Sequence, residues 1–171
     1  MQYCTKIPSP MGTLTAASDG AAITGVWFDG QKYFGAGLTP EAAFRADLPV
    51  FEELRRWLKG YFSGETPAAM PAVRPAGTPF RQRVWAELLK IPRGTVTTYG
   101  QIAETLGRDG EWTSARAVGG AVGHNPVSVL IPCHRVVGRD GSLTGYAGGL
   151  ERKLALLKLE GFNCKNLRLS V

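Results

Sequence analysis

The sequence predicts two structural parts in one chain. The first is an α/β N-terminal domain over residues 1–75, a small antiparallel sheet with one helix; the second is a mainly α C-terminal domain over residues 76–171, organised as a winged helix-turn-helix. Three observations lead there. Two β-patterned runs separated by a turn precede a single amphipathic helix. A stretch rich in Pro and Gly without periodicity follows at residues 66–77. Beyond it, helix-start signals recur at short intervals.

The first strands are expected at residues 12–18 and 23–28, with Ser18-Asp19-Gly20 opening the turn between them. In residues 49–62, Phe51, Leu54, Leu58, Tyr61 and Phe62 recur at helical spacing, with Glu52, Glu53, Arg55, Arg56 and Lys59 on the other face, so this helix should cover the sheet. The connector at residues 66–77 marks the domain boundary. Thr78-Pro79 then supplies an N-cap and a proline at the first helical position, and Phe80, Val84, Trp85, Leu88 and Leu89 form an apolar face. Thr98-Tyr99-Gly100-Gln101 has the spacing of a capping box and launches a helix through Ile102, Ala103 and Leu106. Thr113-Ser114 caps the next one, and two short helices joined by a turn suggest a helix-turn-helix.

That last helix is almost without bulk: Ala115, Ala117, Gly119, Gly120, Ala121 and Gly123 surround one charge, Arg116. Each interior glycine costs about 1 kcal/mol of helix propensity. Small residues permit close helix packing, but a slim helix also fits a groove as narrow as the minor groove of B-DNA, and the isolated Arg116 favours the second reading. Residues 127–131 read as an apolar strand, residues 137–143 as a hairpin tip able to touch phosphates, and Leu150, Leu154, Ala155 and Leu157 as a helix ending at Gly161. Glu160 falls in its last turn, where the helix dipole disfavours an anion, so a cationic or hydrogen-bonding partner is expected.

Charge is unevenly shared. Residues 1–75 carry seven basic and seven acidic side chains, whereas residues 76–171 carry thirteen basic against seven acidic, so the whole net charge of +6 lies in the second part. That part is the candidate polyanion binder. The apolar runs are too short to cross a bilayer, and Met1-Gln2-Tyr3-Cys4-Thr5-Lys6 has no signal-peptide character, which leads to an expected cytoplasmic, nucleoid-associated location. Three cysteines, at 4, 133 and 164, form no disulfide framework, and two histidines are too few for a dedicated zinc site, so neither metal nor cofactor is expected. Cys4 and Cys164 read as incidental thiols.

The chemistry concentrates in Ile131-Pro132-Cys133-His134-Arg135-Val136. Only a thiolate attacks, so a nucleophilic cysteine wants a base or positive charge nearby, and His134 and Arg135 offer both. Neighbours in extended chain point to opposite faces, so His134 would need a bend or a bridging water to serve Cys133. A Cys-His pair by itself is more often a small buried residue beside a satisfied polar one. Its surroundings change the reading: Gly119-Gly120-Ala121-Val122-Gly123-His124-Asn125-Pro126 ends seven residues before Cys133, and Tyr146-Ala147-Gly148-Gly149-Leu150 follows it.

Together these runs resemble the O6-alkylguanine-DNA alkyltransferases, over residues 78–161 with a weaker match before. The resemblance implies a ribonuclease H-like N-terminal domain and direct, irreversible transfer of the alkyl group from O6-alkylguanine in double-stranded DNA to Cys133, each molecule acting once, with O4-alkylthymine as a second candidate substrate. The target atom is stacked inside the duplex, so the nucleotide is flipped out first. By the same resemblance Arg116 fills the vacated space, and Ala115, Ala117, Gly119 and Arg135 join it at the DNA. Tyr99 turns the phosphate and donates a hydrogen bond to the leaving guanine. His134 acts on the thiol through water, Glu160 holds the imidazole, and Asn125 ties the active-site turn to the helix. The flipped base is read by the carbonyls of Cys133 and Val136 and the N–H of Ala147, beside Tyr146. Many relatives carry serine where Ala147 stands, and the turn at residues 108–111 is longer here than in familiar relatives. A monomer is expected. The rival classes are an alkyltransferase-like lesion binder, which would lack the cysteine, and a cysteine hydrolase, which would turn over.

Overall fold

The computed structural model describes residues 1–65 and 69–169; positions 66–68 of the expected connector lie outside the described residues. The chain divides into two compact units, Met1–Ala76 with Pro126–Leu130, and Gly77–Asn125 with Ile131–Val171.

In the first unit β1 (Tyr3–Ile7), β2 (Leu14–Ser18), β3 (Ile23–Phe28) and β4 (Ala43–Phe44) form one sheet in the order β3-β2-β1-β4. The two strand runs expected at residues 12–18 and 23–28 pair antiparallel, Leu14 opposite Phe28 and Ala16 opposite Val26. β1 is an addition to the sequence reading, and β4 joins it in parallel, so the sheet is mixed at that edge. α1 (Pro49–Phe62) starts at a proline and buries Val50, Phe51, Leu54, Leu58 and Tyr61. Its i, i+3, i+4 spacing turns all five to one face, which packs on β2.

The outer edge of β3 is covered by two isolated bridges, Ile23 with Val73 and Val26 with Val127. The second corrects the sequence reading. Residues 127–131 are not a strand: Val127 makes one bridge, with Val26 N–H donating to Pro126 O at 2.8 Å and Ser128 N–H to Val26 O at 2.9 Å, and the chain then turns. Val129 takes φ 73°, a left-handed conformation unusual for a β-branched residue. The run is apolar because Val127, Val129, Leu130 and Ile131 are buried, and burial without a ladder leaves the same sequence signal as a buried strand.

The second unit holds the remaining helices. α2 (Pro79–Leu88) is capped by Thr78, whose side chain accepts from Arg81 N–H, and buries Val84, Trp85 and Leu88. Leu89, expected on that face, lies past the helix end and is exposed. α3 (Tyr99–Arg108) begins in a reciprocal capping box: Gln101 N–H donates to Thr98 Oγ1 at 3.1 Å, and Thr98 N–H to Gln101 Oε1 at 2.9 Å. α4 (Ala115–Gly123) starts at Ser114 Oγ, which accepts from Ala117 N–H. It packs on α2 and α3 through Val118, Ala121 and Val122, and Trp85 Nε1–H donates to Ala121 O at 2.9 Å.

Two short parallel pairs complete the unit, β5 (Thr97–Thr98) with β6 (Val136–Val137) and β7 (Ser142–Leu143) with β8 (Arg168–Leu169). β6 and β7 therefore do not pair with each other, and the hairpin expected at residues 137–143 is instead a tight loop, closed by Gly138 N–H to Ser142 O at 2.8 Å. α5 (Leu150–Leu159) follows and ends at Glu160, with Gly161 beyond it at φ 82°.

Candidate active site

Cys133 opens a single turn of 3-10 helix, Cys133–Arg135, after Pro132. The turn changes the relation of neighbouring side chains from the opposite faces of a strand to successive directions around a tight helix, and it buries both Cys133 and His134. Cys133 is 5% exposed. Asn125, two residues past the end of α4, reaches across to this turn: its Nδ2 donates to Ile131 O at 2.8 Å and towards Cys133 Sγ at 3.2 Å. Its own N–H donates to Val122 O, so one residue joins the end of α4 to the sulfur.

Burial pushes the Cys133 thiol up from its ordinary value, because a thiolate is costly in an apolar site; the Asn125 hydrogen bond and then the charge of Lys153 oppose that shift. Burial likewise pushes His134 down, against the pull of the Glu160 hydrogen bond and charge, so the imidazole is neutral at pH 7. Its Nε2 lies 2.7 Å from Glu160 Oε1. A carboxylate only accepts, so the ring proton sits on Nε2 and the lone pair on Nδ1, the arrangement of a general base.

Glu160 is held from three sides. Arg135 grips it with a fork, Nε to Oε2 at 2.9 Å and an Nη to Oε1 at 2.9 Å, and Gly94 N–H donates to Oε2 at 3.3 Å. Gly94 must be glycine for two reasons. It has φ 76°, and a Cβ there would stand 3.0 Å from Glu160 O. The guanidinium neutralises an anion that the end of α5 would otherwise repel. Arg135 was expected at the DNA; its side chain is instead turned inward, its third contact being Ile91 O at 2.6 Å. That role could not be read from sequence, since all its partners are 25 or more residues away.

Tyr99 is the first residue of α3, and its hydroxyl donates to Thr144 O at 3.0 Å. Burial is the main cause that raises its pKa, so the phenol stays protonated and able to donate. Gly119 of α4 faces the Tyr99 ring, where a methyl would just touch at 3.7 Å, while Gly120 and Gly123 face open space. Ala115, Arg116 and Ala117 are exposed on the first turn of α4, and among the described residues Arg116 has no ion-pair partner. Val136 and Tyr146 are buried and Ala147 half-buried; Val136 N–H donates to Cys133 O within the turn, and Gly149 N–H to Tyr146 O. Lys153, on α5, is also buried and was missed. A signal existed: it lies three residues after Leu150 and four before Leu157, on the apolar stripe.

Among the described residues no group of three His, Cys, Asp or Glu side chains could hold a metal ion, and no helix is long and apolar enough to cross a membrane.

Comparison with known proteins places both units. Residues 79–162 match the family model described as 6-O-methylguanine DNA methyltransferase, DNA binding domain, and residues 2–69 match its ribonuclease-like domain. A methylated-DNA–protein-cysteine methyltransferase of Haemophilus influenzae is 42% identical over 159 residues, covering 92% of this chain and 86% of the relative. One of Mycobacterium tuberculosis is 43% identical over 160 residues, covering 94% and 93%. The crystal structure of the M. tuberculosis O6-methylguanine methyltransferase superposes with a TM-score of 0.82 at 41% identity, covering 94% of this chain and 93% of that one. The M. tuberculosis OGT in complex with DNA gives 0.81 at 40%, covering 92% of each. With one family model on each unit and relatives above 40% identity along nearly the whole chain, this protein belongs to the methylated-DNA–protein-cysteine methyltransferase family.

Proposed function

We propose that this chain repairs DNA by moving the alkyl group of O6-alkylguanine onto Cys133, once per molecule. The observation that carries the reading is the convergence on one buried 3-10 turn of a thiol touched by Asn125 and an imidazole whose tautomer is set by Glu160. A neutral His134 with its lone pair on Nδ1 is suited to take the thiol proton through a bridging water. The sulfur then attacks the alkyl carbon; the S–C bond forms, the C–O6 bond breaks, and the electron pair passes into the guanine ring. Tyr99, protonated and at the rim of the same site, donates to that ring as negative charge develops. The thioether is a poor leaving group, and Cys4 and Cys164 are both free thiols rather than a regenerating pair, which supports single use.

Access to a stacked base requires flipping. α3 and α4, joined by a turn, support a helix-turn-helix role, with α4 as the element that enters the minor groove. Its exposed first turn is made of small side chains around Arg116, the residue proposed to occupy the gap left by the flipped nucleotide. The loop at residues 138–142 serves as the wing, and the carbonyls of Cys133 and Val136 with the N–H of Ala147 read the base beside Tyr146. Arg135 supports the site from within, as the counter-ion of Glu160. The protein is proposed to act as a cytoplasmic, nucleoid-associated monomer without metal or cofactor.

Incubation with a duplex containing one O6-methylguanine, followed by intact mass and peptide mapping, tests the reading. One methyl group on Cys133, with product limited to the amount of protein, is expected. Repeated turnover, or methylation of Cys4 or Cys164, would overturn it.

A further inference from the structure

α5 carries a lysine where its apolar face should continue. Lys153 is 1% exposed, between positions occupied by Leu150 and Leu157. Its Nζ donates to Thr144 O at 2.8 Å, and the same carbonyl accepts the Tyr99 hydroxyl at 3.0 Å. Among the described residues no carboxylate lies within ion-pairing distance of the ammonium. The nearest buried carboxylate in the site, Glu160, is already matched by Arg135.

A buried ammonium without a counter-ion is costly to desolvate, and a leucine or methionine here would avoid that cost. The cation therefore needs an anion that the resting protein does not display. α5 packs on the 3-10 turn, and the titratable groups that interact with Lys153 are Cys133 and His134 on that turn, with Tyr99 at the head of α3 sharing its Thr144 acceptor. His134 is neutral and Tyr99 protonated, which leaves the sulfur as the one group that becomes an anion during the reaction.

We propose that Lys153 is a positioning residue for alkyl transfer, the internal cation that stabilises the Cys133 thiolate while it holds, with Tyr99, the Thr144 carbonyl at the start of the segment bearing Tyr146 and Ala147. The inference rests on the function proposed above. Two effects agree with it: desolvation draws the lysine down to about 8, and each of the two groups shifts the other towards its charged form. When His134 takes the proton, thiolate and ammonium are both buried, in a medium of low dielectric where opposite charges attract strongly. When the S–C bond forms the sulfur is neutral again, and Lys153 loses its counter-ion.

The test uses the full chain and a probe independent of DNA. The rate of iodoacetamide alkylation at Cys133 is followed by peptide mapping across pH in wild type, Lys153→Met and Lys153→Arg. Lys153→Met should move the Cys133 profile upward by about one pH unit, a roughly tenfold loss of thiolate at neutral pH. Transfer from free O6-benzylguanine should slow by a similar factor, in the limiting single-turnover rate rather than in the half-saturating concentration. Lys153→Arg should restore most of the profile. In wild type, the Nζ of Lys153 followed by NMR should titrate at lower pH once Cys133 carries an alkyl group, a measurement that holds even if a variant fails to fold. An unshifted Cys133 profile in Lys153→Met, or an Nζ titration unchanged by alkylation, overturns the proposal. Failure of the wild type to accept the methyl group of an O6-methylguanine duplex would instead count against the proposed function, and the iodoacetamide arm separates the two.

Discussion

His134 and Glu160, 26 residues apart in sequence, meet at 2.7 Å with both side chains fully buried, and the carboxylate is gripped at the same time by Arg135. The imidazole is thereby fixed in orientation and tautomer, and the charge that fixes it is itself balanced. If this is a relay that activates Cys133, Glu160→Gln and His134→Ala should each slow alkyl transfer by about 100-fold or more, the range for a positioned general base. The double variant should be little worse than the worse single one, because the two residues act as a unit. Single-turnover rates on free O6-benzylguanine measure this, and fully additive losses would show that the relay is not a unit.

Glu160→Gln should also cost stability. It leaves the Arg135 guanidinium facing a neutral amide in a buried site, and breaking a buried pair from one side costs about 3–5 kcal/mol. Chemical denaturation should show this loss in Glu160→Gln, whereas Arg135→Lys, which keeps one charge but not the fork, should lose less.

The depressed pKa of His134 makes a statement about acid stability. Its folded value lies below 6.5, so below that pH the unfolded chain takes up a proton that the folded protein resists, and stability falls until the pH passes the folded value. Well above pH 6.5 both states are neutral at this residue and the contribution is flat. A denaturation series from pH 7.5 to 5 should show the decline in wild type and a shallower one in His134→Gln. Equal slopes would assign the acid sensitivity elsewhere.

Asn125 couples α4 to the sulfur through one amide. Asn125→Ala removes one of the two donors to the buried Ile131 O, leaving the Cys133 N–H, and should cost about 0.5–1.5 kcal/mol. It also removes the donor that opposes the burial shift of the thiol, so Cys133 should become less reactive at a given pH. Asn125→Asp should be worse for reactivity than for folding, since an anion would then stand 3.2 Å from the sulfur. Iodoacetamide rates and urea midpoints, measured on the same preparations, separate these effects.

Arg116 is exposed on the first turn of a helix made of small residues. Arg116→Ala should slow repair of duplex DNA far more than reaction with free O6-benzylguanine, because only the duplex has a stacked base to extract. Equal losses on the two substrates would return Arg116 to an ordinary solvated side chain.

The features legible in the sequence are those whose causes are local. Thr78, Thr98 and Ser114 each cap a helix through a backbone N–H three residues on, and the fourteen residues of α1 carry their own apolar stripe, so these helix starts and faces follow from spacing alone. The motif around Cys133 was legible for a different reason: its residue types are rarely found together. Tertiary structure decided what depended on distant partners. Residues 127–131 are apolar enough for a strand, yet only the edge of β3 determines that they make one bridge and turn at Val129. Val136 and Val137 pair with Thr97 and Thr98 rather than with the strand that follows them, a choice between ladders that local propensity cannot make. Arg135 and Lys153 look like surface cations in a basic sequence; folding turned both inward, one onto Glu160 and one onto Thr144 O. A side chain's charge is written in the chain, but whether water or a buried partner compensates it is set by which elements pack around it. For that reason the candidate nucleophile could be named from sequence, whereas the charges surrounding it could be found only in the folded protein.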